Sequence, residues 1–194
     1  MVDLRSYKGI IFDMDGTLID SMGAHMEAWR LACEQHGFPF DLDYMYSLGG
    51  VPTRKTVEIL NEKYAMSHSP DEVARTKREM WEKMDHTPTI IESTMAVFRQ
   101  YRPSMRIGIG TGAERPHAVH LLEHHGLLSE IDALVTATDV THGKPHPETF
   151  LTVAEKMGLA PKDCVVFEDT EIGRKAASDG GMDCIMVHNG EIQI

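Results

Sequence analysis

One stretch constrains the fold of this chain more than any other, because an apolar run ends there in two carboxylates: IIFDMDGTLID, residues 10–20. In an extended strand, side chains two residues apart point to the same side, so we expect Asp13 and Asp15 to face one crevice. Open parallel α/β sheets bind their ligands beyond the carboxyl ends of the strands. Gly16 and Thr17 would then let the chain turn away from the sheet. The alternative for an isolated D-x-D is a pair of solvated carboxylates in a turn.

Short apolar runs, each rich in Ile, Val or Phe, are candidates for buried strands. They cover residues 9–12, 105–109, 133–136, 164–167 and 184–187. Helical patterns of the length needed for crossovers lie between the last four runs, at 116–125, 147–157 and 172–178. This alternation predicts an α/β fold, with a Rossmann-like parallel sheet that carries helices on both faces.

The segment 21–88 interrupts this alternation, because it shows helical spacing and almost no strand character. Its expected helices cover 24–35, 43–47, 53–63 and 70–84. We therefore predict that residues 21–88 form an inserted small helical cap domain, and that 1–20 and 89–194 together form the core. The two chain crossings, near 20–22 and 87–89, are expected to form a hinge.

Charge and cysteine content narrow the possible partners. The chain has 19 Lys and Arg against 30 Asp and Glu, a net charge of −11, which is the opposite of the basic surface that nucleic acids require. No run approaches the roughly 18 apolar residues of a membrane span, and the N-terminal MVDLRSYKG does not resemble a signal peptide. The three cysteines are widely spaced and form no C-x-x-C pair. We expect a cytoplasmic protein that binds neither nucleic acid nor membrane.

A second pair of acids follows another apolar run, in VVFED, where Glu168 and Asp169 end the fourth predicted strand. Carboxylates delivered to one sheet edge from two strands repel each other unless a cation lies between them. Ligands that are all oxygen suit Mg²⁺, which is usually held by a few carboxylates together with substrate phosphate. The negative net charge makes such a local positive site necessary for an anionic substrate.

Two further strand or loop ends carry candidate phosphate ligands. In RIGIGTG the strand ends at Thr111, whose hydroxyl and the following amides of Gly112 and Ala113 could bind phosphate oxygens. In HGKPHPETF, Lys144 places a compact positive charge in a rigid loop just before a helix. Taken alone, Thr111 is typical of a helix cap and Lys144 of a surface lysine.

Four motifs occur in a fixed order along the chain: D-x-D-G-T-L, a strand-ending threonine, K-P-x-P, and E-D after a strand. Together they resemble the motifs of the haloacid dehalogenase superfamily of phosphatases and phosphomutases. The resemblance extends over residues 8–187. The inserted helical segment is similar to the small four-helix cap of the branch that includes beta-phosphoglucomutase. The sequences GTGAER and KPHPETF look like those of its small sugar-phosphate phosphatases, such as the fructose-1-phosphate phosphatases.

The resemblance implies a role for each motif residue. Asp13 would be the nucleophile, which forms an aspartyl-phosphate, and Asp15 the general acid and base. Mg²⁺ would be held by Asp13, Asp15 and Asp169. An aspartate with an ordinary pKa near 4 is ionised at neutral pH and needs no base to attack phosphorus.

The remaining motif residues would surround the transferred phosphate. The resemblance implies that Thr111 and Lys144 bind it, together with the amides of Gly112 and Ala113. Glu168 is expected to support the metal ligands and the bound substrate from behind.

The resemblance also points to substrate contacts in the cap. His25 matches a histidine that couples cap closure to catalysis in the mutase. Arg54 resembles the mutase arginine that binds the non-transferring phosphate, and Lys77 matches a cap lysine that faces the active site. Each could instead be an ordinary helix residue. Glu114 stands where the mutase has a phosphate-binding lysine, which favours hydrolysis over phosphate transfer between sugar positions.

Three histidines at helical spacing, His117, His120 and His124, could bind a metal but are interpreted as a polar helix surface. The function expected from the whole sequence is a Mg²⁺-dependent phosphatase of a small phosphorylated metabolite, such as fructose 1-phosphate, acting as a monomer. The alternatives are a beta-phosphoglucomutase-type phosphomutase and a non-catalytic module that binds a phosphorylated metabolite.

Overall fold

The computed structural model describes residues 2–84 and 87–194, in which six strands form one sheet of order β3-β2-β1-β4-β5-β6. Neighbouring strands are parallel except for the last pair, β5 and β6, which is antiparallel. The strands are β1 (Gly9–Phe12), β2 (Arg106–Gly110), β3 (Ala133–Val135), β4 (Cys164–Glu168), β5 (Asp183–His188) and β6 (Glu191–Ile192). The predicted α/β fold with a parallel sheet is confirmed. Met1, Asp85 and His86, which belong to the predicted core and cap ranges, lie outside the described residues.

Of the eight described α-helices, the first four cluster before residue 92, the fifth spans 92–101 and the last three alternate with the strands after residue 106. None of the described helices is both long and apolar enough to cross a membrane. The helices are α1 (Met22–His36), α2 (Leu42–Ser47), α3 (Thr53–Tyr64), α4 (Pro70–Glu82), α5 (Glu92–Tyr101), α6 (Arg115–His124), α7 (Glu148–Lys156) and α8 (Glu171–Asp179).

The position of β1 determines where the site forms. This strand lies between β2 and β4, and its register pairs Phe12 with Ile109 on one side and with Phe167 on the other. All four residues of β1 are buried, because helices cover both faces of the sheet. The residues that follow the three strands therefore meet at one edge, and the amide of Asp13 donates to the carbonyl of Phe167 over 3.0 Å.

Helices α1 to α4 bury a hydrophobic cluster of their own, separate from the two clusters that flank the sheet. The ends of this segment are adjacent, since Ile19 forms an antiparallel bridge with Ile90 and the amide of Asp20 donates to the carbonyl of Thr89 over 2.8 Å. The predicted cap range 21–88 contains these four helices. The division into two domains itself stays a prediction.

Candidate active site

Three carboxylates converge at the edge of the sheet, where each of Asp13, Glu168 and Asp169 offers an oxygen within 4.8 Å of the others. The hydroxyl of Thr17 lies 3.1 Å from Oδ2 of Asp13 and 3.3 Å from Oδ1 of Asp169. Gly16 turns the chain here with φ of +82°, and a Cβ atom on it would overlap the Asp169 carboxylate. The turn after β1 therefore requires glycine both for its conformation and for space.

Lys144 is buried beneath these acids, with its side chain fully shielded from solvent. Its ammonium donates to Oδ1 of Asp13 over 2.8 Å, to Oε2 of Glu168 over 3.1 Å and to the carbonyl of Gly110 over 3.1 Å. An ammonium carries three donors, so this lysine is fully satisfied. The alternative of a surface lysine is wrong, because the loop before α7 directs Lys144 into the sheet edge.

One ammonium does not neutralise three carboxylates, of which Asp13 and Glu168 are buried and Asp169 is half-buried. Burial and the charge of Glu168 raise the pKa of Asp13 to about 7. Burial and the charges of Asp13 and Glu168 raise the pKa of Asp169 well above its usual range. Without a metal ion, the pKa of Asp13 is therefore higher than the ordinary value near 4 that was expected from the sequence. The sequence could not show how deeply this acid is buried among like charges.

The donor set fits the divalent cation that the resemblance implies. All available ligands are carboxylate oxygens, and the excess negative charge among them calls for a cation. Oε1 of Glu168 already accepts from the amides of Asp169 and Thr170, and its Oε2 accepts from Lys144. Asp13 and Asp169 are thus the freer ligands, and Glu168 holds Lys144 and the adjoining backbone in place.

Asp15 was predicted to be one of the metal ligands, but its carboxylate lies outside this acidic cluster. Its Oδ1 accepts from the hydroxyl of Ser21 over 2.5 Å and lies 3.0 Å from Nε2 of His25. Nε2 of His117 is 4.0 Å away. Glu168, and not Asp15, completes the carboxylate cluster, since the turn at Gly16 directs Asp15 toward the helical segment.

His25 links Asp15 to Lys77, whose ammonium lies 2.9 Å from Nδ1 of the histidine. Burial, together with the charge of Lys77, lowers the pKa of His25 to about 4. Burial also lowers the pKa of Lys77 to about 8. At neutral pH, His25 is therefore neutral, accepts from Lys77 at Nδ1 and donates from Nε2 to Asp15. Burial acts to raise the pKa of Asp15, but the facing histidines outweigh it and hold that pKa well below its usual range.

A cavity of about 550 Å³ lies between the sheet edge and helices α1 to α4. Asp13, Asp15 and the loop 111–113 line it on one side. His25, Trp29, Lys77, Arg78 and Trp81 are among the residues that line the other side. Thr111 is buried, and its hydroxyl accepts from the amide of Ala113 over 3.1 Å. The predicted phosphate-binding loop thus opens into the same space as both aspartates.

Lys144 and Glu168 do not line the cavity, and of the cap residues predicted to contact the substrate Arg54 does not line it either. The Nε atom of Arg54 lies 3.0 Å from Oδ1 of Asp71. Both side chains of this pair are exposed, by 62% and 73%. Arg54 therefore lies on the surface between α3 and α4.

The sequence interpretation missed several residues of the site. His117 was assigned to a polar helix surface, yet it lies in the first turn of α6 and faces Asp15. Tyr46 of α2 places its hydroxyl 3.4 Å from Oδ2 of Asp169. The position of His117 so soon after the strand-ending Thr111 was a usable signal, whereas nothing in the sequence around Tyr46 indicates its contact.

This geometry agrees with a comparison to known families, since the family model described as haloacid dehalogenase-like hydrolase matches residues 10–187. The chain belongs to the haloacid dehalogenase-like hydrolase family. The resemblance inferred from the motifs is confirmed.

Relatives within this hydrolase family include both phosphatases and mutases. The fructose-1-phosphate phosphatase YqaB of Escherichia coli is 38% identical over 181 residues, which cover 93% of this chain and 96% of that protein. The beta-phosphoglucomutase of Bacillus subtilis is 28% identical, covering 95% of this chain and 84% of that protein. A solved structure of beta-phosphoglucomutase from Clostridium difficile has a TM-score of 0.81 at 24% identity, covering 94% of this chain and 85% of that one, and shares the fold.

Proposed function

We propose that this chain is a Mg²⁺-dependent phosphatase that hydrolyses a small sugar phosphate, such as fructose 1-phosphate, through an aspartyl-phosphate on Asp13. The observation that carries the proposal is the placement of Asp13. Its carboxylate follows the central strand, contacts Lys144 at 2.8 Å and lines the same cavity as Asp15. A nucleophile and a proton carrier therefore face one space large enough for a sugar phosphate, and a charge-balancing cation contacts the nucleophile from beneath.

In the first step, a carboxylate oxygen of Asp13 attacks phosphorus as the bond from phosphorus to the sugar oxygen breaks. Asp15 would donate a proton to the leaving alkoxide, which requires that it first take up a proton, because its lowered pKa keeps it ionised in the free site at neutral pH. Lys144 offsets part of the charge on Asp13 and on the phosphate. Magnesium, held by Asp13 and Asp169 with Glu168 in support, would supply the positive charge that relieves repulsion between the carboxylate and the phosphate. The hydroxyl of Thr111 would bind the transferred group, with the amides of Gly112 and Ala113 nearby.

In the second step, water attacks the aspartyl-phosphate and releases inorganic phosphate and free Asp13. Asp15 accepts the proton of that water, and the same proton is then available for the next alkoxide. The contacts of Asp15 with Ser21 and His25 hold its carboxylate in a defined orientation for this exchange. A shift of Lys77 would move Asp15 through His25, since His25 contacts both side chains.

A sugar phosphate is favoured because the cavity combines aromatic faces with polar groups. Trp29 and Trp81 offer surfaces for the apolar faces of a sugar, while Lys77 and Arg78 offer donors to its oxygens. Fructose 1-phosphate is proposed as the example because of the 38% identity to the Escherichia coli phosphatase. Location in the cytosol and a monomeric state stay predictions from the sequence.

A phosphomutase is the second candidate, supported by the 28% identity to the Bacillus mutase. Two observations weigh against it. Glu114 lines the cavity at the position where the resemblance implies a lysine, and Arg54 pairs with Asp71 away from it. A mutase must hold two phosphate groups, and these changes remove basic partners for the second. Incubation with beta-glucose 1-phosphate distinguishes the two, since a mutase forms glucose 6-phosphate and a phosphatase forms free phosphate.

The proposal is tested by measuring phosphate release from a panel of phosphorylated metabolites, with Mg²⁺ and with EDTA. Release that requires Mg²⁺ and includes fructose 1-phosphate or another sugar phosphate among the good substrates would support it. Release from no phosphoester under either condition would favour the non-catalytic binding module instead.

A further inference from the structure

A second group of metal-ligand side chains lies beside the carboxylate cluster, formed by Asp15, His25 and His117. One ligand atom from each lies within 4.8 Å of the others. Oδ1 of Asp15 is 3.0 Å from Nε2 of His25 and 4.0 Å from Nε2 of His117. Four ligands at about 2.1 Å around a tetrahedral ion lie about 3.4 Å from one another, so these separations need only small adjustments.

Nε2 of His117 is the unexplained atom of this group. It is buried, and it has no hydrogen-bond partner among the described residues. A buried polar atom without a partner carries an energetic cost that a bound ligand would remove. This nitrogen lies 4.0 Å from Oδ1 of Asp15, the same oxygen that Nε2 of His25 approaches at 3.0 Å. The orphaned atom thus faces the centre of the group.

The surrounding rings restrain both histidines. The indole of Trp81 lies with its ring centroid 4.4 Å from that of His25 and 4.8 Å from that of His117. Ser21 fixes Asp15 from behind through a 2.5 Å hydrogen bond. Ligands that are already oriented lose less conformational freedom when an ion binds.

We propose that Asp15, His25 and His117 form a binding site for Zn²⁺ or a similar transition-metal ion, distinct from the carboxylate cluster at Asp13 and Asp169. Two imidazole nitrogens and one carboxylate are ligands that suit zinc, whereas Mg²⁺ prefers oxygen alone. All three residues line the cavity, so the fourth coordination position faces the space where water or a phosphate oxygen binds. The carboxylate cluster has no such nitrogen ligand.

An ion that binds His25 must displace a proton from it, so the site favours ions that bind imidazole strongly. Nε2 of this histidine now carries the proton that it donates to Asp15, because Nδ1 accepts from Lys77. When an ion binds Nε2, that proton moves to Nδ1 and Lys77 loses its acceptor. Ions that bind imidazole weakly do not offset this loss, and Mn²⁺ is accordingly expected to bind more weakly than Co²⁺ or Zn²⁺.

An ion in this site would inhibit the reaction, a consequence that rests on the proposed function. It would occupy Oδ1 of Asp15, the group proposed to carry the proton. It would also join α1, which contributes His25, to α6, which contributes His117. Zinc would therefore act as an inhibitor of the magnesium-loaded enzyme rather than as a replacement for magnesium.

The test uses Co²⁺ as a spectroscopic probe in the full chain with Mg²⁺ in excess. We expect one Co²⁺ per chain with the intense visible absorption of low-coordinate cobalt. His117→Gln should weaken that binding by at least tenfold and remove the band, since losing even an outer-shell partner of a metal ligand costs about 10–100-fold. His120→Gln is the matched control, because His120 lies on the same helix and also lines the cavity but is outside the group. An unchanged band in His117→Gln would overturn the site.

A second variant and a second readout complete the test. His117→Asn repeats the loss of the ligand, and the circular dichroism of both variants shows whether they are folded. Zn²⁺ inhibition of phosphate release should require at least tenfold more metal in His117→Gln than in His120→Gln, and equal sensitivity would overturn the inhibitory role. If the chain releases no phosphate at all, the proposed function fails, while the cobalt band still decides whether the site exists.

Discussion

The backbone of Gly112 lies directly against the carbonyl of Gly50, so that a Cβ atom on Gly112 would overlap that oxygen. Gly112 belongs to the loop after β2, and Gly50 to the segment between α2 and α3. This contact is therefore a seam between the sheet edge and the helical segment, and it depends on the lack of a side chain at residue 112.

Gly112→Ala is expected to open this seam, because the obstacle is backbone that cannot rotate away. We expect a loss of about 1–3 kcal/mol in the free energy of unfolding, the usual range for overpacking, and a lower kcat/KM. Urea denaturation and steady-state kinetics measure the two effects. Gly23→Ala in helix α1 is the control, since a Cβ there meets no described atom within 4 Å; it should raise the free energy of unfolding by up to about 1 kcal/mol and leave kcat/KM nearly unchanged. Equal behaviour of the two variants would contradict the seam.

Asp13→Asn is expected to abolish turnover, because the amide cannot form the phospho-enzyme. The fall in kcat should be at least about a thousandfold, as for other nucleophile replacements. The melting temperature should not fall, since the substitution relieves repulsion from Glu168 and Asp169. The exposed Asp20, changed to Asn, is the matched control and should keep most activity. Wild-type rates in Asp13→Asn would show that another group attacks phosphorus.

Lys144→Met tests the buried ion pairs. Removal of the ammonium leaves Asp13 and Glu168 without their shared partner, in a site shielded from solvent. Breaking such a pair costs about 3–5 kcal/mol in the free energy of unfolding. Urea denaturation of the metal-free protein should show this loss, while Lys162→Met at an exposed position should change stability by no more than about 0.5 kcal/mol. A loss as small as that of the control would mean that Lys144 contributes little to the fold.

The stability of the metal-free protein should fall as pH rises through neutrality. The pKa of Asp13 is raised from 3.8 to about 7 by burial and Glu168, so the folded state binds a proton more tightly than the unfolded state. The stabilisation from this proton is complete below pH 3.8 and is lost as pH passes about 7. Melting temperatures in EDTA should therefore decrease from pH 5 to pH 8.

Asp169→Asn provides the control for this pH dependence. It removes a carboxylate whose own pKa is raised well above its usual range by burial and by Asp13, so the decrease in melting temperature over the same range should be smaller. Mg²⁺ should raise the melting temperature of the wild type more at pH 8 than at pH 5, because ionised carboxylates bind it better. The same pH slope in Asp169→Asn and wild type would show that other groups govern the dependence.

Arg54→Ala and Lys77→Ala separate the two basic residues expected in the cap. Arg54 pairs with Asp71 at the surface, where such pairs contribute about 0–1 kcal/mol, so KM should change by less than about twofold. Lys77 lines the cavity and contacts His25, so its loss should raise KM and lower kcat. Steady-state kinetics with the best substrate of the panel decide the comparison. A large rise in KM for Arg54→Ala would mean that this side chain reaches the substrate.

The strand ends could be predicted from the sequence because their chemistry is local. Asp13, Thr111 and Asp169 each follow a continuous apolar run, and parallel register brings the ends of such runs together. The helix α5 was not singled out, since its residues 92–101 follow the long helical stretch without a distinct start signal. Strand β6 has only two residues, too few for a recognisable pattern.

Properties that depend on distant contacts could not be predicted. The raised pKa of Asp13 arises from burial and from Glu168, which is 155 positions away in the chain. The sequence alone also left open whether Arg54 contacts the substrate or solvent, and it assigned His117 to a polar helix surface although this side chain faces Asp15. A helix position can be assigned from periodicity, but the direction of a long or polar side chain depends on partners such as Asp71 and Asp15.

The chain leaves the sheet at Ile19 and returns at Ile90 as a direct neighbour, with Asp20 and Thr89 joined by a backbone hydrogen bond. The segment between these points enters and leaves the sheet at this one junction, and its other contacts with the sheet edge, such as that of Gly50 with Gly112, are non-covalent. A tight hairpin would bridge the gap equally well, and so would an unrelated module with adjacent termini. Asp13 and its supporting strands would then remain in register while the part of the cavity lining that lies on the helical segment is exchanged, which makes this junction a natural point for building chimeras.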